Sequence, residues 1–119
     1  MRFVIHVGPH KTGTTYLQEG FVRMRGALAG RGVHFPAWWG PVAQYDLLEK
    51  LRAPPNAEAE AQFAELRAAG HQTVLISVEG LLALPRPGVA YLRHLTGDAE
   101  VTVVFYTRSW ADLLPSTWQ

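Results

Sequence analysis

Residues 8–15 of the chain, GPHKTGTT, combine two glycines with a lysine and a pair of threonines. Glycine permits backbone conformations and close approaches that a side chain would block. The Lys11 ammonium and the hydroxyls of Thr14 and Thr15 can donate hydrogen bonds to an anion. Where such a segment joins a strand to a helix, the free backbone N–H groups at the helix start add partial positive charge. These residue types at this spacing therefore predict a cradle for a phosphate or sulfate group.

The order of these residues differs from that of a nucleotide-hydrolysing P-loop. That loop reads G-x-x-x-x-G-K-[ST], with the lysine directly after the second glycine. In this chain Gly13 is followed by Thr14, and Lys11 lies two residues before the glycine. A nucleotide kinase would also need an acidic Mg²⁺ ligand at a strand end, where Thr107 and Arg108 offer none. A kinase and a non-catalytic nucleotide-binding fragment stay as alternatives, and an ordinary strand–helix turn with a surface lysine is the structural alternative.

A second pair of residues, near the other end of the chain, also has phosphate-binding chemistry. Arg108 follows an apolar run that predicts a strand, and Ser116 comes eight residues later. The guanidinium of arginine presents a planar fork that matches phosphate oxygens. Ser116 and Gln119 form the pattern S-x-x-Q of a capping box, which predicts a helix start and a further anion site. The alternative for this pair is a structural arginine and an ordinary helix cap.

The segment KTGTT at 11–15, placed after a predicted strand, resembles the 5′-phosphosulfate loop of sulfotransferases. Residues 6–18 as a whole, HVGPHKTGTTYLQ, are similar to the bacterial sulfotransferase-like branch of that family. Members of the family move a sulfuryl group from 3′-phosphoadenosine 5′-phosphosulfate (PAPS) to an acceptor hydroxyl and release the bisphosphate PAP. The resemblance is strong at both ends of the chain and weak in the middle, and it implies catalysis without a metal.

The resemblance assigns donor binding to residues at both ends of the chain. It implies that Lys11 contacts the transferring sulfuryl group and the bridging oxygen, while Thr14 and Thr15 hold the 5′-phosphate. Tyr16 matches an aromatic position that stacks on adenine, although a core or surface aromatic explains it equally well. An arginine at a strand end and a serine eight residues on form the family's 3′-phosphate site, although Trp110 stands where the family usually has a proline. The predicted donor-binding residues are Gly8, Lys11, Thr12, Gly13, Thr14, Thr15, Tyr16, Arg108 and Ser116.

A base must take the proton of the acceptor hydroxyl, and two residues are candidates. Glu79 follows the predicted second strand and is therefore expected at the same sheet edge as the lysine loop. Some carbohydrate sulfotransferases resemble this in using a glutamate base, while others use a histidine. His10 is the second candidate, because the adjacent Lys11 disfavours its charged form and keeps it a neutral base. The structural alternative for Glu79 is that it caps the next helix. His6, inside the first strand, is predicted to be buried.

These residues need a scaffold that brings strand ends together, and the chain predicts one. Apolar runs predict strands at 2–7, 72–78 and 101–107, and helical spacing predicts helices at 14–29, 42–52 and 89–95, with a further helix capped by Asn56. The second and third strands are continuous apolar runs, which predicts burial on both faces. Alternating strands and helices indicate an α/β fold, namely a P-loop-like three-layer α/β/α arrangement with a central parallel sheet, incomplete at its C-terminus.

Length and composition limit the class of protein. The chain has 119 residues, predicted to form one domain over 1–119, and its net charge of +1 disfavours a general nucleic-acid or membrane-surface binder. The absence of cysteine excludes disulfide scaffolds, thiolate metal sites and cysteine nucleophiles. No apolar run reaches about 18 residues and no secretory signal is evident, so we expect a cytoplasmic protein. Because the capping box at Ser116 begins three residues before the last residue, we expect the N-terminal portion of a longer enzyme.

The acceptor is predicted only as a class, a hydroxyl-bearing carbohydrate or small molecule. Trp38 and Trp39 lie in a loop with glycine and proline, and their rings would suit a sugar or another ring system. Packing of both tryptophans over the sheet is the favoured interpretation. Only two of the eleven cations are lysines, and the second, Lys50, is predicted to lie with Asp46 on a solvated helix face.

We predict that 3′,5′-bisphosphorylated adenosine binds far more tightly than ATP or AMP when Mg²⁺ is absent, because only the bisphosphate reaches both predicted phosphate sites. Isothermal titration calorimetry measures the three affinities. Arg108→Ala should weaken binding of the bisphosphate by about tenfold or more, the size of one lost charge-assisted hydrogen bond. Equal affinity for the three nucleotides, or binding unchanged in Arg108→Ala, would contradict the assignment.

Overall fold

The structure, a computed structural model, describes residues 1–7 and 14–105. At its centre is a four-stranded, all-parallel sheet with the strand order β2-β3-β1-β4. The strands are β1 (Arg2–His6), β2 (Val33–His34), β3 (Thr73–Ser77) and β4 (Glu100–Val104). The helices are α1 (Thr14–Arg23), α2 (Arg25–Gly30), α3 (Tyr45–Arg52), α4 (Ala57–Ala68) and α5 (Arg86–Thr96), with a 3₁₀ helix at Glu79–Ala83. None of the helices in the described part of the chain has the length and apolarity needed to cross a bilayer.

Helices cover the sheet on both faces, because successive side chains of a strand point to opposite sides. On one face, Phe3 of β1 joins the apolar core that α3, α4 and α5 complete, and its ring lies 5.6 Å from that of Phe63 in α4. On the other face, Ser77 of β3 meets Gln18 of α1. These contacts confirm the α/β fold, with a parallel sheet between two helical layers.

The connections that leave β1 and β3 run in opposite directions across the sheet. The chain passes from β1 beyond β3 to reach β2, whereas it passes from β3 beyond β1 to reach β4. Because crossovers between parallel strands are right-handed, the two connections cover opposite faces. The connections diverge at the carboxyl ends of β1 and β3, the usual place for a ligand in an α/β sheet. There His6, the last residue of β1, is in register with Ser77, the last residue of β3.

The helix predicted at 14–29 is instead two helices that meet at Met24. α1 ends at Arg23 and α2 begins at Arg25, while Met24 has φ −96° and ψ 9°. Nε of Arg25 donates a hydrogen bond to the Phe35 carbonyl oxygen (2.9 Å), and the guanidinium lies over the Phe35 ring. This contact ties α2 to the segment after β2, and the Met24 side chain is 56% exposed. The prediction of one continuous helix is therefore wrong.

Burial on both faces is confirmed for β3 and wrong for β4. The last four side chains of β3 are buried, whereas Thr102 and Val103 of β4 are exposed. Among the described residues β4 pairs with β1 alone, so β4 forms an edge of the sheet. An apolar run predicts a strand, but whether the strand is central or at an edge depends on pairing with residues far away in the sequence.

Two residues that the sequence linked to the acceptor site or to solvent instead stabilise the core. Trp39 is fully buried and stacks on Phe63, with ring centroids 5.5 Å apart, so the packing interpretation is confirmed for it. Lys50 is buried rather than solvated, and it forms ion pairs with Asp46 and with Glu58 of α4 (3.7 Å between Nζ and Oε2). Both side chains hold α4 against the segments that precede it.

The predicted cap at Asn56 is confirmed, because its Oδ1 accepts a hydrogen bond from the Ala59 N–H at 2.9 Å. We predict that Asn56→Ala lowers the free energy of unfolding by about 1 kcal/mol, since the substitution leaves this helix-terminal donor without its acceptor. Urea denaturation measures the change. Asn56→Ser is the matched control and should stay close to the parent in stability. An alanine variant as stable as the serine variant would contradict the capping role.

Candidate functional site

Ser77 joins three parts of the chain at the carboxyl edge of the sheet. Its hydroxyl oxygen lies 2.8 Å from Nδ1 of His6 at the end of β1. The Gln18 side-chain amide of α1 donates to the same hydroxyl (3.1 Å) and to the Ser77 carbonyl oxygen (3.3 Å). All three side chains are buried, so these hydrogen bonds are shielded from water and losing one would leave a buried polar atom unsatisfied.

Gln44 completes this edge by taking the place of a strand. β2 has only two residues and ends before the carboxyl end of β3. Beyond it, the Ser77 backbone N–H donates to Oε1 of Gln44 (2.7 Å), and the Gln44 backbone N–H donates to the Ser77 carbonyl oxygen (3.4 Å). Nε2 of Gln44 also donates to the Pro36 carbonyl oxygen (3.0 Å). The helix predicted at 42–52 begins later, at Tyr45, because Gln44 bonds to the end of β3.

Glu79, the first candidate for the base, lies two residues beyond Ser77 and is 8% exposed. It is the first residue of the 3₁₀ helix, whose N-cap is Val78, so Glu79 does not hold the capping position. Burial raises the pKa of Tyr45, and the Glu79 carboxylate raises it further. Glu79 also opposes the effect of burial on the pKa of His6. Glu79 therefore lies within electrostatic reach of both His6 and Tyr45.

The turn that carries Glu79 packs closely against α3. A Cβ atom at Gly80 would lie 2.4 Å from Cδ2 of Leu48, so a larger residue would have to displace that side chain. Leu48 is itself buried in the apolar core, which limits how far it can move. The direction of the chain just after Glu79 is therefore set by the packing of the 3₁₀ helix on α3.

Helix α1 begins at Thr14, directly after the loop that is predicted to bind an anion. Its first turn has no acidic residue to offset the partial positive charge of the free N–H groups. Gln18 ties the helix to Ser77 and so holds it at the carboxyl edge. Thr14, Thr15 and Tyr16 thus occupy the first turn of α1, a backbone position that suits a phosphate, while the contacts of their side chains lie outside the described residues.

The remaining predicted site residues lie outside the described residues, and their roles stay predictions. They are Gly8, His10, Lys11, Thr12, Gly13, Arg108 and Ser116. The residues before them are described, and Val7 after β1 donates its backbone N–H to the carbonyl oxygen of Val104 in β4 (3.0 Å). Both segments with predicted donor-binding residues therefore follow adjoining strand ends at one edge of the sheet.

Comparisons with protein-family models, with curated proteins and with solved structures found no match to this chain. Within residues 1–7 and 14–105, no group of three or more histidine or carboxylate side chains could hold a metal ion. The features that bear on function are therefore the fold and the chemistry of the strand ends.

Sequence reasoning missed three of the residues that build this edge. Ser77 had a weak signal, since it is the polar residue within the apolar run VLISV. Gln18 and Gln44 had none, because glutamine on a helix or in a loop is usually exposed. Their bonding partner Ser77 lies 59 and 33 residues away along the chain, so only the tertiary structure brings the three together. The prediction that His6 is buried is confirmed.

Two histidines of the described chain are held in their neutral form. Burial lowers the pKa of His6, and the charge of Glu79 opposes only part of that effect. The pKa of His34 is lowered by burial and then by the nearby His71 and Arg25. A histidine with a lowered pKa in the folded state binds fewer protons than it does in the unfolded chain, so acid favours unfolding.

We predict that the free energy of unfolding falls as the pH is lowered from about 7.5 to about 5.5, through the ordinary pKa of histidine in an unfolded chain. Urea denaturation at several pH values measures the slope. The dependence of the free energy of unfolding on pH should be weaker in His6→Asn and in His34→Asn than in the parent, and weakest in the double variant. This comparison does not depend on the absolute stability of each variant. A double variant with the slope of the parent would contradict the neutral burial of these rings.

Proposed function

We propose that this chain carries the donor site and the base of a PAPS-dependent sulfotransferase that acts on an acceptor hydroxyl. The observation that carries the proposal is the in-register pairing of β1 with β3. One of these strands leads into the loop with Lys11, and the other ends two residues before Glu79. A group-transfer enzyme needs a cationic anchor for the donor and a base for the acceptor at one place, and neighbouring strand ends supply both.

The donor, in this proposal, binds at the start of α1 and along the adjoining end of β4. The ammonium of Lys11 contacts the sulfuryl group, and the 5′-phosphate lies against the helix start at Thr14 and Thr15, where free N–H groups favour an anion. Arg108 follows β4, which pairs with β1 on the side away from β3, and its guanidinium binds the 3′-phosphate with Ser116. The cations that bind the donor thus follow β1 and β4 in the sequence, and the carboxylate of the base follows β3.

In the transfer step, the acceptor oxygen forms a bond to sulfur while the bond between sulfur and the bridging phosphate oxygen breaks. The hydroxyl proton passes to the Glu79 carboxylate. Lys11 offsets the negative charge that develops on the bridging oxygen as PAP leaves. His10, which precedes Lys11, is the alternative base.

The hydrogen bonds at Ser77 support this proposal because group transfer depends on exact positioning. They tie the end of β1, the helix α1 and the residue before α3 to the strand that leads into Glu79. An error of about 1 Å in the placement of reacting groups can reduce a rate about a hundredfold. A buried, hydrogen-bonded edge limits such errors between the end of β1 and the turn that carries Glu79.

We predict that Lys11→Ala lowers kcat by about 10²- to 10³-fold, because a positioned charge that stabilises the leaving group is lost. Glu79→Gln should lower kcat by about 10²- to 10⁴-fold, the range for loss of a general base. Sulfuryl transfer from PAPS is measured in the full-length protein against a panel of sugars, phenols and small alcohols. Arg31→Ala in the turn after α2 and Glu65→Gln in α4, which change exposed residues, are the matched controls.

Each outcome assigns a role. Turnover retained in Lys11→Ala would remove Lys11 from the mechanism. Turnover retained in Glu79→Gln but lost in His10→Asn would move the base to His10. A parent protein that neither binds PAP nor transfers a sulfuryl group would contradict the proposed function as a whole.

A further inference from the structure

A solvent-open notch of about 310 Å³ lies between α1 and the segment that leads into α3. Its lining consists of Gln18, Glu19, Pro41, Val42, Ala43 and Tyr45. We propose that this notch binds the acceptor, and that the acceptor is an uncharged or amine-bearing alcohol or phenol about one ring in size rather than an anion. The inference rests on the sulfotransferase function proposed above and narrows its acceptor.

Both walls of the notch are attached to the same residue of the sheet. On the α1 wall, the Gln18 amide donates to the hydroxyl and carbonyl oxygens of Ser77. On the opposite wall, Gln44 next to Tyr45 bonds to the backbone N–H and carbonyl of Ser77. Since Ser77 is two residues from Glu79, the width of the notch and its distance from the candidate base are held by the same set of hydrogen bonds.

Backbone geometry and contacts within the chain hold the shape of the loop at 40–45. Gly40 has φ +148°, and a Cβ atom there would lie 2.2 Å from the Ala43 carbonyl oxygen, so this turn requires glycine. The Trp39 carbonyl oxygen accepts a hydrogen bond from the Asp46 N–H (3.0 Å), and the Trp39 ring is anchored in the core. A preformed site loses less conformational entropy on binding than a mobile one.

The walls of the notch are tied to the end of β3, which lies on one side of β1 in the sheet. The segment that contains Arg108 follows β4, on the other side of β1, and the segment that contains Lys11 follows β1 itself in the sequence. Transfer by in-line displacement requires the attacking oxygen and the leaving oxygen on opposite sides of the transferred group. An acceptor that enters from the β3 side meets this requirement when the donor is anchored on the β4 side.

The charges around the notch favour an acceptor without negative charge. None of the six lining residues is a cation, and Glu19 places a carboxylate on the α1 wall. A second carboxylate, Glu79, is close enough to Tyr45 to add to the effect of burial in raising the pKa of that phenol. The Glu19 carboxylate on the wall, with no cation among the six lining residues, repels an anionic acceptor and attracts an ammonium group.

The remaining lining residues indicate the size and polarity of the acceptor. Pro41, Val42 and Ala43 present an apolar wall that suits the face of a ring. The protonated hydroxyl of Tyr45 can donate to or accept from a substrate hydroxyl. A volume of about 310 Å³ lies at the lower end of the range for small-molecule sites, so the notch holds one ring rather than a polymer.

The test compares acceptors of similar size and shape that carry different charges. Two sets are glucosamine, glucose and glucuronate, and tyramine, 4-ethylphenol and 4-hydroxyphenylacetate, where the phenol is the one hydroxyl of each member of the second set that can accept the sulfuryl group. In the full-length protein with saturating PAPS, kcat/KM should be highest for the amine, intermediate for the neutral compound and lowest for the acid. Glu19→Lys should shift the amine-to-acid ratio by about two- to fivefold towards the acid, the effect of one exposed charge pair. Glu65→Lys, an equal charge change on α4, should leave the ratio unchanged.

A steric variant tests the location independently of charge. Val42→Trp should raise the KM of the favoured acceptor about tenfold or more by filling the notch, while the Kd of PAP measured by calorimetry stays that of the parent. If PAP does not bind the parent, the proposed function fails. A second outcome is that PAP binds and sulfuryl transfer proceeds while Val42→Trp leaves KM unchanged or the acid is the preferred acceptor. In that case the proposed acceptor site is wrong and the proposed function stands. Transfer to polymeric acceptors with none to single rings would equally overturn it.

Discussion

The hydrogen bonds that converge on Ser77 determine how the carboxyl edge of this sheet is built. β2 ends too early to pair with the last residues of β3, so the strand would leave backbone groups unsatisfied at the place where the site must form. Gln44 bonds to those backbone groups, and His6 and Gln18 meet at the side-chain hydroxyl. A buried donor or acceptor without a partner costs about 1–3 kcal/mol, so each of these hydrogen bonds favours the arrangement in which the others also form.

The strand order has an electrostatic consequence. β1 lies between β4 and β3, so groups that follow the three strand ends are separated in the order of the sheet. The predicted cations follow β1 and β4, while the carboxylate of Glu79 follows β3. In the proposed function, the cations that bind the donor and the carboxylate that acts as the base are therefore contributed by segments that follow different strands.

Prediction from sequence worked best where a local pattern decides the local structure. Asn56 is a helix cap because its side chain bonds to a residue three positions on, and the signal lies within one turn. It failed where a distant contact overrides the pattern. The break at Met24 accompanies the contact of Arg25 with the segment after β2, and Lys50 is buried because Glu58 on the next helix adds to its pairing with Asp46. The exposed side chains of β4 belong to the same class, since an apolar run does not reveal whether both sides of a strand are paired.

The sequence by itself determined the chemistry that this protein can offer. A lysine between glycines and threonines predicts an anion site, an arginine and a serine at a second strand end predict another, and alternating apolar runs and helices predict a parallel α/β sheet, because each of these signals is local. Only the tertiary structure decided which strand ends are neighbours and that Glu79 lies within electrostatic reach of His6 and Tyr45. It also decided that Gln18 and Gln44 tie the two walls of a notch to Ser77. These features depend on contacts between residues tens of positions apart. Such contacts form only when burial of the apolar core brings the segments together.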